Sequence, residues 1–156
     1  MWVGIGIAGF IRFNERQQVE AAAKQVQTLF RTAQAKAQIR EVPAENCNSL
    51  DGYLVRLNGN PATSVELLMQ CNNGTPPSPS LVHVSISSYT IPSNITVTRN
   101  FTSVLFRPLR GGAKILEDAS DTSLTSVDIR ITNSSSSPTY TFNINASGLI
   151  SEGRLE

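Results

Sequence analysis

The architecture of this chain follows from residues 1–40, which read MWVGIGIAGFIRFNERQQVEAAAKQVQTLFRTAQAKAQIR. From residue 17 to residue 40 the stretch is rich in Ala and Gln and contains neither Pro nor Gly, so it favours a single helix. Its apolar residues recur three or four positions apart, which indicates an amphipathic helix lying against a core. This stripe consists of Val19, Ala22, Ala23, Val26, Leu29, Phe30, Ala33 and Ala37.

Residues 2–11 are apolar on every side and include Val3, Ile5, Ile7, Phe10 and Ile11, and a basic junction at residues 12–16 separates them from the stripe. A segment that is apolar all round is usually buried in protein or in lipid. Because Arg12 interrupts it, the segment is shorter than the about 20 residues that span a bilayer. It also lacks the basic start and the cleavage site of a signal peptide. We expect it to be the end of a longer hydrophobic helix.

A single helix from about Gly9 to Arg40 would be about 45 Å long at 1.5 Å per residue. That length exceeds the diameter of the globular part into which it leads. We therefore expect half of the helix to pack on the rest of the chain and the other half to project. Pro43 disfavours helical backbone at Val42, so the helix should end before it.

Beyond Pro43 the pattern changes to period two, with Ser, Thr and Asn between β-branched residues, which predicts short strands. We expect them at residues 53–57, 64–71, 81–86, 95–98, 103–107, 113–116, 125–132, 139–144 and 149–150. The predicted fold class is α+β, with a long N-terminal amphipathic helix (residues 1–41) packed on an antiparallel, sandwich-like β domain (residues 42–154). Residues 155–156 resemble a cloning remnant, to which we assign no structural weight.

The composition is that of a nearly neutral folded chain. Its 156 residues suit one domain with an extension, and the 16% charged content argues against disorder driven by self-repulsion. A net charge of +1 predicts no general attraction to nucleic acid or to anionic membranes. Ser, Thr and Asn stand where a cytosolic surface usually carries Lys and Glu, which is common in exported β proteins.

The two cysteines, Cys47 and Cys71, each lie at the edge of a predicted strand. Two interpretations stay open: one disulfide in an oxidising compartment, or two unrelated buried thiols. The exported character of the composition favours the disulfide. The hairpin predicted from residues 53–57 and 64–71 would place both cysteines at the same end, where Cα atoms about 5.5 Å apart permit the bond.

No motif in the sequence predicts catalysis. There is no G-x-S-x-G nucleophile motif. Gly4, Gly6 and Gly9 fit the spacing of G-x-G-x-x-G, but no strand precedes them and no βαβ unit follows, which argues against dinucleotide binding. We therefore expect a protein that is not an enzyme and that uses no cofactor.

Metal binding has equally little support in the sequence. His83 is the one histidine, and it lies in an alternating strand without a second histidine or a spaced carboxylate beside it. Carboxylates cluster only at Glu117, Asp118 and Asp121, in a polar loop. Oxygen ligands there are conceivable for Ca²⁺, but the EF-hand spacing is missing, so a solvated loop is the favoured interpretation.

Several segments together resemble the bacterial type IV pilin and pseudopilin family. Residues 3–22, VGIGIAGFIRFNERQQVEAA, are similar to the second half of its N-terminal helix, where small and aromatic residues precede a basic junction and an amphipathic stretch. The positions Leu29, Arg31, Ala33, Gln34 and Ala37 look like the L-x-x-A-R/Q-x-x-A run of the H-type pseudopilin and minor pilin subfamily. Residues 104–112, VLFRPLRGG, and 140–150, YTFNINASGLI, are similar to its last strands, which close on a glycine and an aliphatic residue.

The resemblance implies a structural subunit: a minor pilin or pseudopilin of a type IV pilus or a type II secretion pseudopilus. Such a subunit sits in the inner membrane by its helix, with the globular domain in the periplasm, and is then drawn into a cell-surface filament with other subunits. Val3, Ile5, Ile7, Phe10 and Ile11 would lie first in the membrane and then in the filament core. The helix stripe would pack on the sheet.

The family pattern is incomplete at the N-terminus. The leader peptide, its glycine cleavage point, the methylated phenylalanine and the nearby glutamate have no counterpart in this sequence. We therefore expect an N-terminal truncation, and the processing and assembly residues of the family map onto no residue here.

Two further roles stay open. Some minor pilins take part in DNA uptake, and a contact for DNA or for a secreted substrate would require convergence of Arg107, Arg110, Lys114, Arg130 and Arg154. The net charge of +1 favours plain solvated cations instead. The alternative to a filament subunit is a free-standing exported β-sandwich that binds a glycan, a protein or DNA, although 6% aromatic residues is little for stacking on sugars.

Overall fold

The computed structural model describes residues 4–41, 47–109, 111–117, 123–135 and 137–156, with the side chains of the helix from residue 9 onward. One helix, α1 (Gly4–Ile39), precedes a series of strands. The strands are β1 (Ser49–Asn58), β2 (Ser64–Asn72), β3 (Leu81–Thr90), β4 (Ile95–Thr98), β5 (Ser103–Phe106), β6 (Ala113–Leu116), β7 (Ser123–Leu124), β8 (Ser126–Asn133), β9 (Thr139–Asn145) and β10 (Arg154–Leu155). The predicted α+β class is confirmed.

Within the described residues the helix starts earlier than predicted, at Gly4, and includes both Gly6 and Gly9. Its last residue is Ile39, before Pro43, as predicted. Arg40 adopts a left-handed φ of 52° and closes the last turn, and its N–H donates to the Ala37 carbonyl at 3.3 Å. A left-handed residue directly after the last helical residue is a common way to end a helix.

The strands form two antiparallel sheets. The larger sheet has the order β3-β2-β1-β5-β6-β7, and the smaller has the order β10-β9-β8-β4. The two predicted hairpins are present as β1–β2 and β8–β9. Residues 149–150 were predicted as the last strand, which is wrong: Ile150 makes one isolated bridge to Ile144, and the last strand is β10.

The C-terminal residues belong to the smaller sheet. Leu155 pairs with Tyr140, and the backbone of Glu156 exchanges hydrogen bonds of 2.8 and 3.0 Å with Thr139. The expectation that residues 155–156 carry no structural weight is therefore wrong, because two residues are enough to add a strand when an edge is open.

One hydrophobic core joins the helix to both sheets. The eight stripe residues are at most 9% exposed, and they contact apolar side chains from β1, β2, β8 and β9. Phe30 is fully buried and packs edge-to-face against Phe142 of β9, with ring centroids 6.0 Å apart. Burial of an aromatic side chain of this size contributes about 1.5–3 kcal/mol relative to exposure. The helix thus covers the apolar faces of both sheets and completes the core.

Glu41, just after the helix, makes one polar contact with the larger sheet and one with the helix itself. The Tyr53 hydroxyl, on β1, donates to the backbone carbonyl of Glu41. The Lys36 ammonium lies 2.6 Å from the Glu41 carboxylate, an ion pair that raises the pKa of Lys36. Burial raises the pKa of Tyr53, so its hydroxyl stays protonated as the donor over the physiological range. The chain therefore leaves the helix at a defined place on β1.

Cys47 and Cys71 form a disulfide, with Cα atoms 5.3 Å apart. Cys71 is fully buried at the end of β2, and its cross-strand neighbour is Leu50 near the start of β1. Both cysteines lie at the same end of the β1–β2 hairpin. The bond connects the segment after the helix to the larger sheet.

The helix–sheet contact gives a testable expectation for stability. Phe30→Ala should destabilise the fold by about 3–5 kcal/mol, because it leaves a cavity against Phe142 that the close-packed core cannot fill. Urea denaturation followed by circular dichroism measures the change. Phe13→Ala is the matched control: Phe13 lies on the same helix with 59% of its surface exposed, so that variant should stay within about 0.5 kcal/mol of the parent. Equal losses in both variants would contradict this account of the core.

Candidate functional site

The N-terminal part of α1 projects from the core and exposes three large apolar side chains among polar ones. The stripe of buried side chains begins at Val19, and residues 9–18 are exposed or half-buried. Phe10 is 72% exposed, Ile11 52% and Phe13 59%. Phe10 and Phe13 lie one turn apart on one side of the helix, and Ile11 points to a neighbouring side. Large apolar groups exposed together mark an interaction site more often than an inert surface.

A cleft lies where the helix leaves the core. The loop between β8 and β9 approaches the helix there, so the two elements face each other across the cleft. The cleft is lined by Arg12, Glu15, Arg16, Ser135, Ser137 and Pro138. Arg12 and Arg16, the basic junction of the sequence, therefore lie at the boundary between the projecting segment and the body.

Three glutamines of α1 attach the helix to the loops of the smaller sheet. Gln27 is 6% exposed, and its amide donates to the Ser151 carbonyl at 2.9 Å. The Gln34 amide donates to the Gly148 carbonyl, also at 2.9 Å. The side-chain amide of Asn94 donates to the side-chain oxygen of Gln18 at 2.7 Å. Sequence reasoning missed these bonds, and the one available signal was a glutamine at a position adjoining the apolar stripe.

The structure describes only some of the residues predicted for the membrane or filament core. Val3 lies outside the described residues. Ile5 and Ile7 are in the helix, but their side chains are outside the described set. Phe10 and Ile11 are exposed on the projecting segment.

The cations predicted as a DNA or partner contact lie in separate places, and Arg110 is outside the described residues. Arg107 and Lys114 line one cavity beside Gly111 and Thr125. Arg130 lines a different cavity, at the start of β8. This separation could not be predicted from the sequence, because it depends on the order and pairing of the strands that carry these side chains.

Arg130 and Arg154 share the outer face of the smaller sheet. Each is directly opposite Thr141 of β9, from β8 and from β10, so the three side chains form one row. Two strand spacings place the arginine Cα atoms about 10 Å apart. The row continues to Thr98 on β4. This face is otherwise built of Thr, Ser and Asn, with Asp128 bonded to Asn143 at 3.0 Å.

Within the part of the chain that the structure describes, no group of three or more His, Cys, Asp or Glu side chains could hold a metal ion. Asp118 and Asp121, considered for Ca²⁺, lie outside it. Over those same residues, the helix has no window that is both long and apolar enough for a bilayer crossing.

A scan against protein families matched residues 22–148 to the family described as "Type II transport protein GspH". The match covers most of the chain. This chain belongs to the GspH family. The predicted resemblance to pseudopilins of the H type is thereby confirmed. Searches of curated proteins and of solved structures gave no match.

The match of this GspH-family protein begins at residue 22, inside the buried stripe. It covers the packed part of the helix from Ala22 and the strands from β1 to β9, whereas β10 lies after it. The exposed residues 9–18 lie before it. The family match therefore gives no information about residues 9–18, and their exposure is known only from the structure.

The outer face of the larger sheet of this GspH-family protein carries a short polar network above a small apolar cluster. The His83 Nε2 atom lies 3.0 Å from Gln70 Oε1, and the Gln70 amide donates to the Asp51 carboxylate. Leu54, Leu68 and Leu105 form the cluster, each at most 5% exposed. Burial, and secondarily the positive charge of Arg56, lower the pKa of His83 below its ordinary value.

That lowered pKa predicts a dependence of stability on pH. The unfolded chain binds the His83 proton at a higher pH than the folded chain does, so unfolding takes up a proton and stability falls as pH drops below about 6.5. Relative to His83→Gln, the parent should lose stability between pH 7.5 and 5.5. Urea denaturation of both proteins at several pH values measures the difference, in which other titrating groups cancel. Parallel curves would mean that the His83 pKa is the same in both states.

Proposed function

We propose that this protein is a structural, minor subunit of a type II secretion pseudopilus and that it assembles through the projecting part of α1. Membership of the GspH family supports the assembly class. The observation that carries the role of the helix is the exposure of Phe10, Ile11 and Phe13, which precede the start of the buried stripe at Val19. A type IV pilus is the related assembly that the same geometry would suit.

Burial in a helix bundle would remove the apolar surface that the projecting segment leaves in water. Removing apolar area from water stabilises by about 25 cal/mol per Å². A bundle of neighbouring subunits supplies that burial on all sides of the helix, whereas the body of this chain supplies it on one side only. The exposed segment is therefore adapted to a partner helix.

Gly9 supports the same proposal. A Cβ atom built on Gly9 meets no atom of this chain within 4 Å, so the chain's own packing does not require glycine there. Glycine in a helix interior costs about 1 kcal/mol relative to alanine. Small residues permit close approach of a second helix. We infer that Gly9 serves contact with a neighbouring subunit.

We further propose that the helix anchors the subunit in the inner membrane before assembly and that the β domain faces the periplasm. Phe10 and Ile11 would then lie at the membrane end of the described helix side chains. The Cys47–Cys71 disulfide supports an oxidising compartment for the domain. Other pseudopilins, and in transit the membrane, are the proposed partners.

The assembly role is tested by removing apolar surface from the projecting segment. A Phe10→Ser/Phe13→Ser variant should keep the parent's denaturation midpoint, because both side chains are exposed. In cells lacking the native subunit, it should reduce secretion and filament incorporation at least about ten-fold, a loss of about 1.4 kcal/mol in packing. Pull-down of the assembled pseudopilus and assay of exported protein are the measurements.

The matched control is Ile39→Ser, at the opposite end of the same helix. Ile39 is 70% exposed, a fraction close to the 72% of Phe10, but it lies outside the projecting segment. This variant should assemble and secrete like the parent. Equal defects in both variants, or normal secretion by the double variant, would contradict the proposal.

A second candidate activity is contact with DNA, and the row of Arg130, Thr141 and Arg154 favours it. Arg130→Gln/Arg154→Gln should weaken duplex binding in gel shifts and reduce the slope of log affinity against log salt by about 2, because two phosphate contacts are lost. Arg31→Gln, at an exposed arginine of α1, should leave both unchanged. If the parent gives no salt-dependent shift, this activity is excluded and the pseudopilus proposal stands unaffected.

A further inference from the structure

Strand β3 is an unusually open edge. It ends the larger sheet, and within the described ranges it pairs with β2 alone. It is 10 residues long, LVHVSISSYT, without a charged residue or a proline. Natural edge strands are usually shortened, charged or interrupted by proline, because their unpaired N–H and C=O groups otherwise pair with another chain. β3 lacks these three protections.

The other edges of the two sheets are protected in the usual ways. β7 has 2 residues and β10 has 2, one of which is Arg154. β4 is longer but has only 4 residues. β3 therefore offers the longest run of backbone for pairing among the four described edges.

One irregularity defines which part of β3 can pair regularly. Leu67 is opposite Ser87 and Leu68 is opposite Ser85, which leaves Ile86 as an extra residue. Such a bulge bends a strand and interrupts its edge. It divides β3 into two regular runs, residues 81–85 and 87–90. The longer run is residues 81–85, in which Leu81 is 54% exposed and Val82 and Val84 are half-buried.

We propose that β3 is a self-association surface on which a second copy of this chain pairs antiparallel, β3 against β3, about a two-fold axis at His83. Residue 81 would lie opposite residue 85 of the second copy, and residue 82 opposite residue 84. Isologous pairing of this kind uses the same patch on both copies and closes as a dimer. The two six-stranded sheets would join into one continuous sheet.

The chemistry of the edge favours a second copy as its occupant. With His83 neutral at pH 7, residues 81–90 carry no charge, so two copies meet without like-charge repulsion, and a net charge of +1 adds little repulsion between whole chains. Val82 and Val84 are on the core side, opposite Cys71 and Met69 of β2. Pairing in this register places valine against valine across the axis, which extends the apolar core face.

Self-association through β3 is independent of the projecting helix and does not rest on the pseudopilus proposal. Because the helix exposes apolar surface of its own, the test uses the full chain carrying Phe10→Ser, Ile11→Ser and Phe13→Ser as the background. Any dimer that survives in this background does not depend on those side chains.

Sedimentation velocity over a concentration series measures the dimer. In the stated background, Ser85→Lys should raise the dissociation constant at least about ten-fold, because an edge lysine blocks strand pairing. Thr98→Lys is the matched control, at an exposed position on the edge strand β4 of the smaller sheet, and should change it by less than about two-fold. A monomer at every concentration, or a dimer that Ser85→Lys leaves intact, would overturn the proposal.

Cysteine pairing tests the register and covers the case in which Ser85→Lys fails to fold. Residues 81 and 85 of one strand are about 13 Å apart at 3.3 Å per residue, too far for a disulfide within one chain. Leu81→Cys/Ser85→Cys should therefore give a covalent dimer on mild oxidation, and each single variant should give at least about ten-fold less. Equal cross-linking by single and double variants, or none by the double variant, would overturn the β3–β3 pairing about His83.

Discussion

The burial of one helical stripe against two sheets is the contact on which this structure depends. Among the described strands, none belongs to both sheets, and the inner faces of the sheets meet in a single core that the helix completes. Val19, Val26 and Phe30 are fully buried there. Hydrophobic burial is the dominant favourable term in folding, so the packed half of the helix stabilises the whole domain. We propose that the N-terminal half of the same helix is a surface for another molecule.

The sequence contained most of the fold because its hydrophobic periodicity is clean. The stripe of period 3.6 marks the helix, and alternation of period 2 marks strands such as β8 and β9. The ends of elements were harder to predict. The helix ends through a left-handed Arg40, and the last strand is β10, because a short segment pairs wherever an edge is open. Neither result follows from local composition.

The candidate site was less accessible to sequence reasoning than the fold. Apolar character of Phe10 and Ile11 could be read directly, but their exposure depends on where the body of the chain ends along the helix. The glutamine contacts and the outer-face row of Arg130 and Arg154 depend on strand register, which couples residues far apart in the chain. An open edge such as β3 is also invisible until the strand order is known.

The contacts along α1 have a mechanical consequence. Tension applied at the N-terminus would pull along the axis of a helix whose stripe, from Val19 to Ala37, is seated in the core. The contacts along the stripe would then be loaded in shear and would resist the pull together, and they would not separate one after another. The hydrogen bonds of Gln27 and Gln34 connect the helix to the segment that precedes β10, so the force would reach the last strand as well as the first.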